Sequence, residues 1–448
     1  MFTRRELLSR TGTGLPLLAL AALEAAAARA AAANPLAPKV AHFPAKAKHV
    51  IHLFMNGGPS TFVQPALEYH GQQPRPPGQD RTRSRRAVQV AVQVPQVQAV
   101  RHRSVRDLPR DRQTDRRHLR DPLDAHGHPE SRAGPAHDLR QRKAIRPSME
   151  KPWLQYGLGT ENQNLPGFVV LCPGKPVVGP ALWSNSFLPG VFQGCHIQNL
   201  DPKRVIEHIQ NRYIGATTQR EQLDLLNELN KLHLNARNGD DQLDARIQSL
   251  EMAFRMQTEA TEAFDVSREP VKVRESYGKG YFADACLSAR RLVERGVRMV
   301  QVFYGSGQPW DDHGDLEKGH RAKAKDSDKA IAALLKDLKA KGLLDETLVL
   351  WGGEFGRTPT SEGASGRDHN NHGFCVWLAG GGVKGGMTYG QSDEFGFAAM
   401  ENKVHVHDLH ATILHLMGID HEKLTYRYSG RDFRLTDVYG TVVKDIIR

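Results

Sequence analysis

The chain has 448 residues, enough for one large α/β domain or for two to three ordinary domains. Its formal net charge is +11, but residues 71–147 hold 17 Arg and one Lys against seven Asp and one Glu. The rest of the chain is therefore close to neutral, which excludes a protein that is basic throughout and binds a polyanion along its length. The four cysteines include no C-x-x-C pair, which excludes a disulfide framework and a thiolate zinc knuckle.

The N-terminus has the order of an export signal. Two arginines at 4–5 precede an apolar, Ala/Leu-rich run over about 12–23, and an alanine tract ends near Ala33. A membrane anchor is the alternative, but the apolar run is shorter than the ~20 residues that a span needs. We therefore predict that residues 1–33 are a twin-arginine signal peptide, that the protein is periplasmic or otherwise exported, and that no stable membrane span is left after signal removal.

The first element of the mature chain is a strand predicted at 48–55, followed by the turn Asn-Gly-Gly-Pro-Ser at 56–60. The basic segment 71–147 comes next. It contains no Phe, Trp, Tyr, Cys, Met or Asn and a single Ile, so it buries too little apolar surface to fold, and disorder is the direct interpretation.

Two further interpretations of residues 71–147 remain open. One is a basic arm that binds nucleic acid. The other is translation out of frame, because Arg, Pro, Gln and Ala are what a GC-rich gene tends to give when it is misread. For residues 121–135, permitted codons exist whose one-base shift encodes IRSMHTDIPNHEPA. We favour the out-of-frame interpretation over the basic arm.

Beyond residue 150, predicted strands alternate with predicted helices. The strands are expected at 168–171, 297–304, 347–352 and 373–379. Helices are expected within 202–265, at 281–295, at 321–342 with a left-handed stop at Gly342, and at 407–417. This alternation predicts an α/β fold with a mainly parallel sheet that helices cover on both faces. We expect residues 34–448 to form a single domain.

Three polar clusters lie at or near the ends of these strands. They contain Asp311 and His313, Glu354 and Arg357, and His369 and His372. The carboxyl ends of parallel strands form the binding crevice of open α/β sheets, so we expect the first two clusters to meet there. Any one of them alone is as consistent with a polar surface loop. Carboxylates and imidazoles without thiolates suit zinc, manganese or a similar divalent ion, and two such ions clamp an oxyanion ester and activate water in known hydrolases.

Several motifs together resemble domain-of-unknown-function family 1501. They are His-Leu-Phe-Met-Asn-Gly-Gly-Pro-Ser at 52–60, Trp-Asp-Asp-His-Gly-Asp at 310–315, Gly-Gly-Glu-Phe-Gly-Arg-Thr-Pro at 352–359, Gly-Arg-Asp-His at 366–369 and the glycine-rich 377–386. The family comprises exported sulfatase-like proteins placed in the alkaline phosphatase superfamily. The resemblance implies a three-layer α/β/α, alkaline phosphatase-like core and, by analogy, a metal-dependent hydrolase of phosphate or sulfate esters. A small molecule or a glycan ester would be the substrate, without nucleic acid as a partner.

The resemblance also implies a set of metal ligands. Asp311 and His313 look like one metal site. Glu354 takes the place of a strand-end aspartate in the other, and His369 or His372 completes the set. The ions would be zinc, manganese or calcium.

Ser60 and Arg357 are the catalytic candidates, and the resemblance implies the role of Arg357. Arg357 would bind the substrate oxyanion bidentately. Ser60 or Thr61 would act as nucleophile, although a hydroxyl after a Gly-Pro turn is as often structural. The chain departs from the family directly after Ser60, where Thr61-Phe62-Val63 stand in place of a stretch with an aspartate. The family's Ser-Met-His-Thr segment occurs only in the shifted frame of 121–135.

These departures leave three hypotheses. The first is an exported metal-dependent ester hydrolase, active or inactive as written. The second is a non-catalytic exported binding protein that retains the fold. The third is a nucleic-acid binder that works through residues 71–147, which export makes the least favoured.

Overall fold

The computed structural model of the protein describes residues 35–60, 88–93, 150–201, 204–205, 213–236, 241–362, 365–393 and 396–448. Of residues 88–93 it describes the backbone alone. The predicted signal peptide, 1–33, and most of the basic segment 71–147 lie outside these ranges.

Strands and helices alternate along the chain, as the sequence predicts. The strands are β1 (His49–Phe54), β2 (Val88–Gln93), β3 (Phe168–Leu171), β4 (Cys195–Ile197), β5 (Met299–Phe303), β6 (Thr347–Gly352), β7 (Gly356–Glu362), β8 (Gly366–Asn370), β9 (Phe374–Ala379), β10 (Met387–Tyr389), β11 (Gln391–Ser392), β12 (Ala399–Glu401), β13 (Val404–His405), β14 (Tyr426–Tyr428) and β15 (Arg431–Phe433). The α-helices are α1 (Glu150–Leu158), α2 (Ala216–Ala236), α3 (Asp241–Ala263), α4 (Val271–Tyr277), α5 (Tyr281–Glu294), α6 (Leu316–Ala340) and α7 (Val406–Leu416). No helix in the described ranges has the length and apolar character needed to cross a membrane.

The central sheet is mainly parallel. Within the described part of the chain its order is β10-β2-β9-β6-β1-β5-β3-β4, and β13 pairs with β2. β1 runs parallel to both β5 and β6, and β3 runs parallel to both β5 and β4. β9 is antiparallel to β6 and to β2. The prediction of a mixed α/β fold with a mainly parallel sheet is therefore confirmed.

β1 lies at the centre of this sheet and is buried at every position. Ile51 and Leu53 join a hydrophobic cluster that includes residues of α5 and α6. Val50 and Phe54, which alternate with them, are buried as well. A strand buried on both faces is typical of parallel sheets, and this burial explains the nearly continuous apolar run that predicts the strand.

Most predicted elements are confirmed within one or two residues. β3 and β6 have the predicted bounds, and Gly342 has a φ of 73°, as the predicted left-handed stop requires. The helix predicted at 321–342 is wrong at its start, because α6 begins at Leu316. Leu316 is buried and anchors this additional turn, which the sequence hides because the turn is otherwise polar and contains a glycine.

Parts of the second and third polar clusters, including Arg357 and His369, form a hairpin that the sequence analysis does not predict. β7 and β8 pair antiparallel, and the register places Arg357 opposite His369. Few residues of this hairpin are apolar, so no alternating hydrophobic pattern indicates it in the sequence. The hairpin matters for the site because it brings the third cluster to the second.

Six residues of the basic segment 71–147 are within the described ranges, and they form β2. This strand differs from the expectation that the whole segment lacks structure. Valine occupies every second position of its sequence, Val-Gln-Val-Ala-Val-Gln, and β-branched residues at that period favour a strand. The expectation of disorder for the rest of the segment falls on residues that are not described.

Candidate metal centre

A tight turn follows β1 and passes directly beneath the loops that carry the polar clusters. Gly57 has a φ of 111°, and a Cβ built there would lie 2.5 Å from the backbone N of Asp311. Gly58 has a φ of 72°, and its Cβ would lie 2.3 Å from the ring of Phe355. Only glycine combines this backbone conformation with such close approach. The two glycines therefore bring the end of β1 against the residues that follow β5 and β6.

Three ligand-type side chains converge above this turn. Oδ1 of Asp311 lies 2.9 Å from Nε2 of His313 and 2.9 Å from Nε2 of His369. The two Nε2 atoms are 3.2 Å apart. A tetrahedral zinc ion with bonds of about 2.0–2.1 Å holds its ligand atoms about 3.3 Å apart, so this donor set fits a divalent ion. The described residues thus include a candidate metal cluster, Asp311, His313 and His369.

The cluster is buried on one side and open on the other. The side chain of Asp311 is 19% exposed, whereas those of His313 and His369 are 44% and 42% exposed. The ring of His369 stacks on that of Phe355, with centroids 4.0 Å apart, which fixes the imidazole from below. A ligand would therefore approach from the side of the two histidines.

Arg357 is fully buried and ties the turn to the cluster. Its Nε donates to the carbonyl of Gly58 at 2.9 Å, and Nη2 donates to the carbonyl of Gly57. Nη2 also donates to Oδ1 of Asp311 at 2.5 Å, and Nη1 donates to the carbonyl of Arg367 at 3.1 Å. These contacts give Arg357 a positioning role. The oxyanion-binding role implied by the resemblance stays a prediction.

The same contacts keep Asp311 ionised. Burial alone would raise the pKa of this carboxyl, but hydrogen bonds from Arg357 and His369, together with their charges, lower it below its usual value. An ionised carboxylate beside two imidazoles is the form that binds a metal ion.

Glu354 follows β6 and places its carboxyl beside the cluster without joining it. Oε1 accepts a hydrogen bond from the backbone N–H of Gly57 at 3.0 Å. Oε2 is buried and has no hydrogen-bond partner among the described residues. The pKa of Glu354 is raised to about 7, mainly by burial and in part by the charge of Asp311, against the hydrogen bond from Gly57. A buried carboxylate oxygen without a partner is an atom that a bound cation satisfies.

Of the two histidines proposed to complete the ligand set, the structure brings His369 to the cluster. His372 is half-buried, and its backbone N–H donates to Oδ1 of Asn370 at 3.0 Å. Its carbonyl accepts from the backbone N–H of Ala399 at 3.1 Å. The three-residue cluster does not include it.

Ser60, the predicted nucleophile, is buried at the end of the turn and leads to a group that sequence reasoning missed. Its backbone N–H donates to Nε2 of His320 at 3.1 Å. Nδ1 of His320 lies 2.6 Å from Oδ2 of Asp312, and Lys323 donates to the same carboxylate at 2.6 and 2.8 Å. The spacing of His320 and Lys323 places both on one face of a helix and could have indicated the group. The predicted start of that helix at 321 left His320 outside it.

These observations define a class: an α/β protein with a carboxylate–imidazole cluster at the carboxyl ends of the strands of a mainly parallel sheet. A family model described as "Protein of unknown function (DUF1501)" matches residues 47–447, and the chain belongs to this family. A search among curated proteins finds no match. The motif resemblance is thus confirmed at the level of the family.

Proposed function

We propose that the protein is an exported metal-dependent hydrolase of phosphate or sulfate esters. The observation that supports this most strongly is the convergence of Asp311, His313 and His369 on one point at the strand ends. The buried, unpaired Oε2 of Glu354 next to the same turn adds a second carboxylate that suits a cation.

Asp311, His313 and His369 would hold the ion, and zinc or manganese suits two imidazoles and a carboxylate better than calcium does. The ion would supply positive charge for the ester oxyanion and a lower pKa for a water molecule. Arg357 fixes the orientation of the Asp311 carboxylate through Nη2, while its other donors hold the turn. Ser60 lies at the far end of that turn, where a nucleophile is expected.

The three-layer, alkaline phosphatase-like arrangement and the export route are part of the same proposal. Burial of β1 on both faces supports layers on each side of the sheet. The twin-arginine pattern before the apolar run supports export through the twin-arginine pathway. The substrate in this proposal is a small-molecule or glycan ester, as the resemblance implies.

The test uses the metal content and hydrolysis of the purified protein. We expect about one divalent ion per cluster by elemental analysis, and hydrolysis of p-nitrophenyl phosphate or p-nitrophenyl sulfate. Asp311→Asn should weaken zinc binding at least about 100-fold and abolish hydrolysis, because it removes the charged ligand on which both histidines converge. Asp432→Asn is the matched control, since Asp432 pairs with Arg427 on an exposed hairpin. Metal-loaded wild-type protein that is inert towards both esters would overturn the proposal.

One observation favours a second function, a binding protein that keeps the fold without catalysis. The sequence after Ser60 lacks the aspartate that the resemblance leads us to expect there. Protein that binds metal but hydrolyses neither ester would support this alternative. Reading the gene across codons 60–150 separates the two further: a one-base shift that restores the aromatic-containing segment with Ser-Met-His-Thr would strengthen the hydrolase.

A further inference from the structure

We infer that Asp312 and His320 form a buried support for the Ser60 end of the turn, and that His320 is a positioning residue of the site. The kinetic part of this inference rests on the proposed hydrolase. The structural part, that His320 holds the backbone of Ser60, stands apart from it.

The contacts of His320 define a single hydrogen-bonded chain. His320 is fully buried, and Ser60 is 3% exposed. Because the backbone N–H of Ser60 donates to Nε2 at 3.1 Å, Nε2 is the acceptor and carries no proton. The proton is therefore on Nδ1, which donates to Oδ2 of Asp312 at 2.6 Å. Asp312 thus selects the tautomer that can accept from Ser60.

Asp312 is itself held from two sides. Lys323 donates to both of its carboxylate oxygens, at 2.8 and 2.6 Å. Gly319 lies so close that a Cβ there would be 2.6 Å from Oδ2 of Asp312. The ring of Trp310 packs edge-on against His320, with centroids 5.1 Å apart. These contacts leave the imidazole one orientation.

The turn is consequently held at both of its ends by neighbouring carboxylates. Asp311 contacts the two histidines of the metal cluster and Arg357, which binds the carbonyls of Gly57 and Gly58. Asp312, the next residue, reaches Ser60 through His320. Adjacent residues of one loop thereby fix the metal ligands and the Ser60 end of the turn in relation to each other. A shift of about 1 Å in such a geometry costs about 100-fold in rate.

Two variants of His320 separate the contacts. His320→Asn places an amide nitrogen near the position of Nδ1, which retains the contact to Asp312 but loses the acceptor for Ser60. His320→Gln can bring an amide oxygen to the position of Nε2 and retain that acceptor. His49→Asn is the matched control, because His49, like His320, is a buried histidine. It lies at the start of β1, at the end opposite to the turn, and is hydrogen-bonded to the carbonyl of Val297.

The first measurement is hydrogen exchange of the Ser60 amide by mass spectrometry with fragmentation of the peptide around 55–60. We expect about tenfold faster exchange in His320→Asn, near wild-type exchange in His320→Gln and no change in His49→Asn. Equal exchange in wild type and His320→Asn would overturn the support, as would equal acceleration in His320→Asn and His49→Asn.

The second measurement is zinc affinity by calorimetry, with kcat and KM for p-nitrophenyl phosphate and p-nitrophenyl sulfate. In His320→Asn we expect zinc affinity within about twofold of wild type, because the three metal ligands are unchanged. Because the Ser60 end of the turn moves, we expect kcat to be about 10–100-fold lower, with KM within about threefold of wild type. His320→Gln should recover part of kcat. An unchanged kcat alongside faster exchange overturns the positioning role. Wild-type protein that hydrolyses neither ester would contradict only the proposed hydrolase function. The exchange result would still decide whether His320 holds the backbone of Ser60.

Discussion

Two fully buried arginines, Arg290 and Arg357, show how differently the same side chain is used in this fold. Arg290 of α5 lies within ion-pair distance of three carboxylates, 2.6 Å from Glu269, 2.6 Å from Glu294 and 2.9 Å from Asp337. The contact of Nη1 to Glu294 has full hydrogen-bond geometry, whereas Nε and Nη2 lie close to their carboxylates without it. The positive charge is compensated entirely by side chains around it.

Arg357 has one carboxylate, Asp311, and otherwise donates to backbone carbonyls. That carboxylate is shared with two imidazoles that face solvent. We call the Arg290 group closed, because its three carboxylates all contact Arg290 within the protein, and it stabilises the packing of helices. The Arg357 group, in contrast, includes exposed side chains that can still bind a ligand from solvent. A buried arginine therefore does not indicate a functional site by itself. A functional site is indicated when the carboxylate that pairs with the arginine also contacts exposed side chains that can bind a metal ion.

The largest expected effect comes from removing the charge of the closed group. Arg290→Met removes the cation that all three carboxylates share. Among the described residues it leaves only Arg291 at Glu269 and Lys341 at Glu294, so we expect the free energy of unfolding to fall by about 3–5 kcal/mol. Urea denaturation measures the change, and Arg427→Met, at an exposed pair, should cost less than about 1 kcal/mol. Zinc affinity should not change. A loss for Arg290→Met no larger than that of the control would show that the group contributes little.

An intermediate effect is expected when the charge is kept and the geometry is changed. Arg357→Lys retains the positive charge but cannot reproduce donors to Gly57, Gly58 and Asp311 at once, so zinc affinity should fall about 10–100-fold. Arg290→Lys makes the same chemical change in the closed group and should leave zinc affinity within about twofold. Titration calorimetry on both variants checks the contrast. Equal effects on zinc affinity would mean that the two groups do not differ as described.

The smallest expected effect is the response of the closed group to acid. Burial alone would raise the pKa of Glu269 and of Glu294, but hydrogen bonds and charge from their basic partners lower both below the usual 4.5. The stability that these carboxylates contribute is therefore complete above the unfolded-state pKa and is lost as the pH falls through the lower folded-state values. Stability measured between pH 7 and pH 3 should drop less steeply in Arg290→Met than in wild type. Parallel curves would contradict this.

Much of the fold follows from the sequence, and particular residues explain why the rest does not. The apolar runs that become β1, β3 and β6 indicate strands because both faces of these strands are buried. The β7–β8 hairpin gives no such signal, since Arg357 and His369 pair across it through the backbone and not through an apolar face. The first turn of α6 stays hidden for a similar reason, with Leu316 as its buried apolar anchor.

By itself, the sequence determines the alternation of strands and helices, the position of polar residues at strand ends and the membership of family 1501, because apolar periodicity and local motifs are contained within short stretches. Only the tertiary structure decides which polar residues meet. It brings His369, and not His372, to the metal cluster. It pairs the N–H groups of Arg357 with acceptors inside the protein, and it connects Asp312 and His320 to Ser60. Those outcomes depend on the pairing of strands far apart in the chain and on the close approach that Gly57 and Gly58 allow, and no local pattern specifies either.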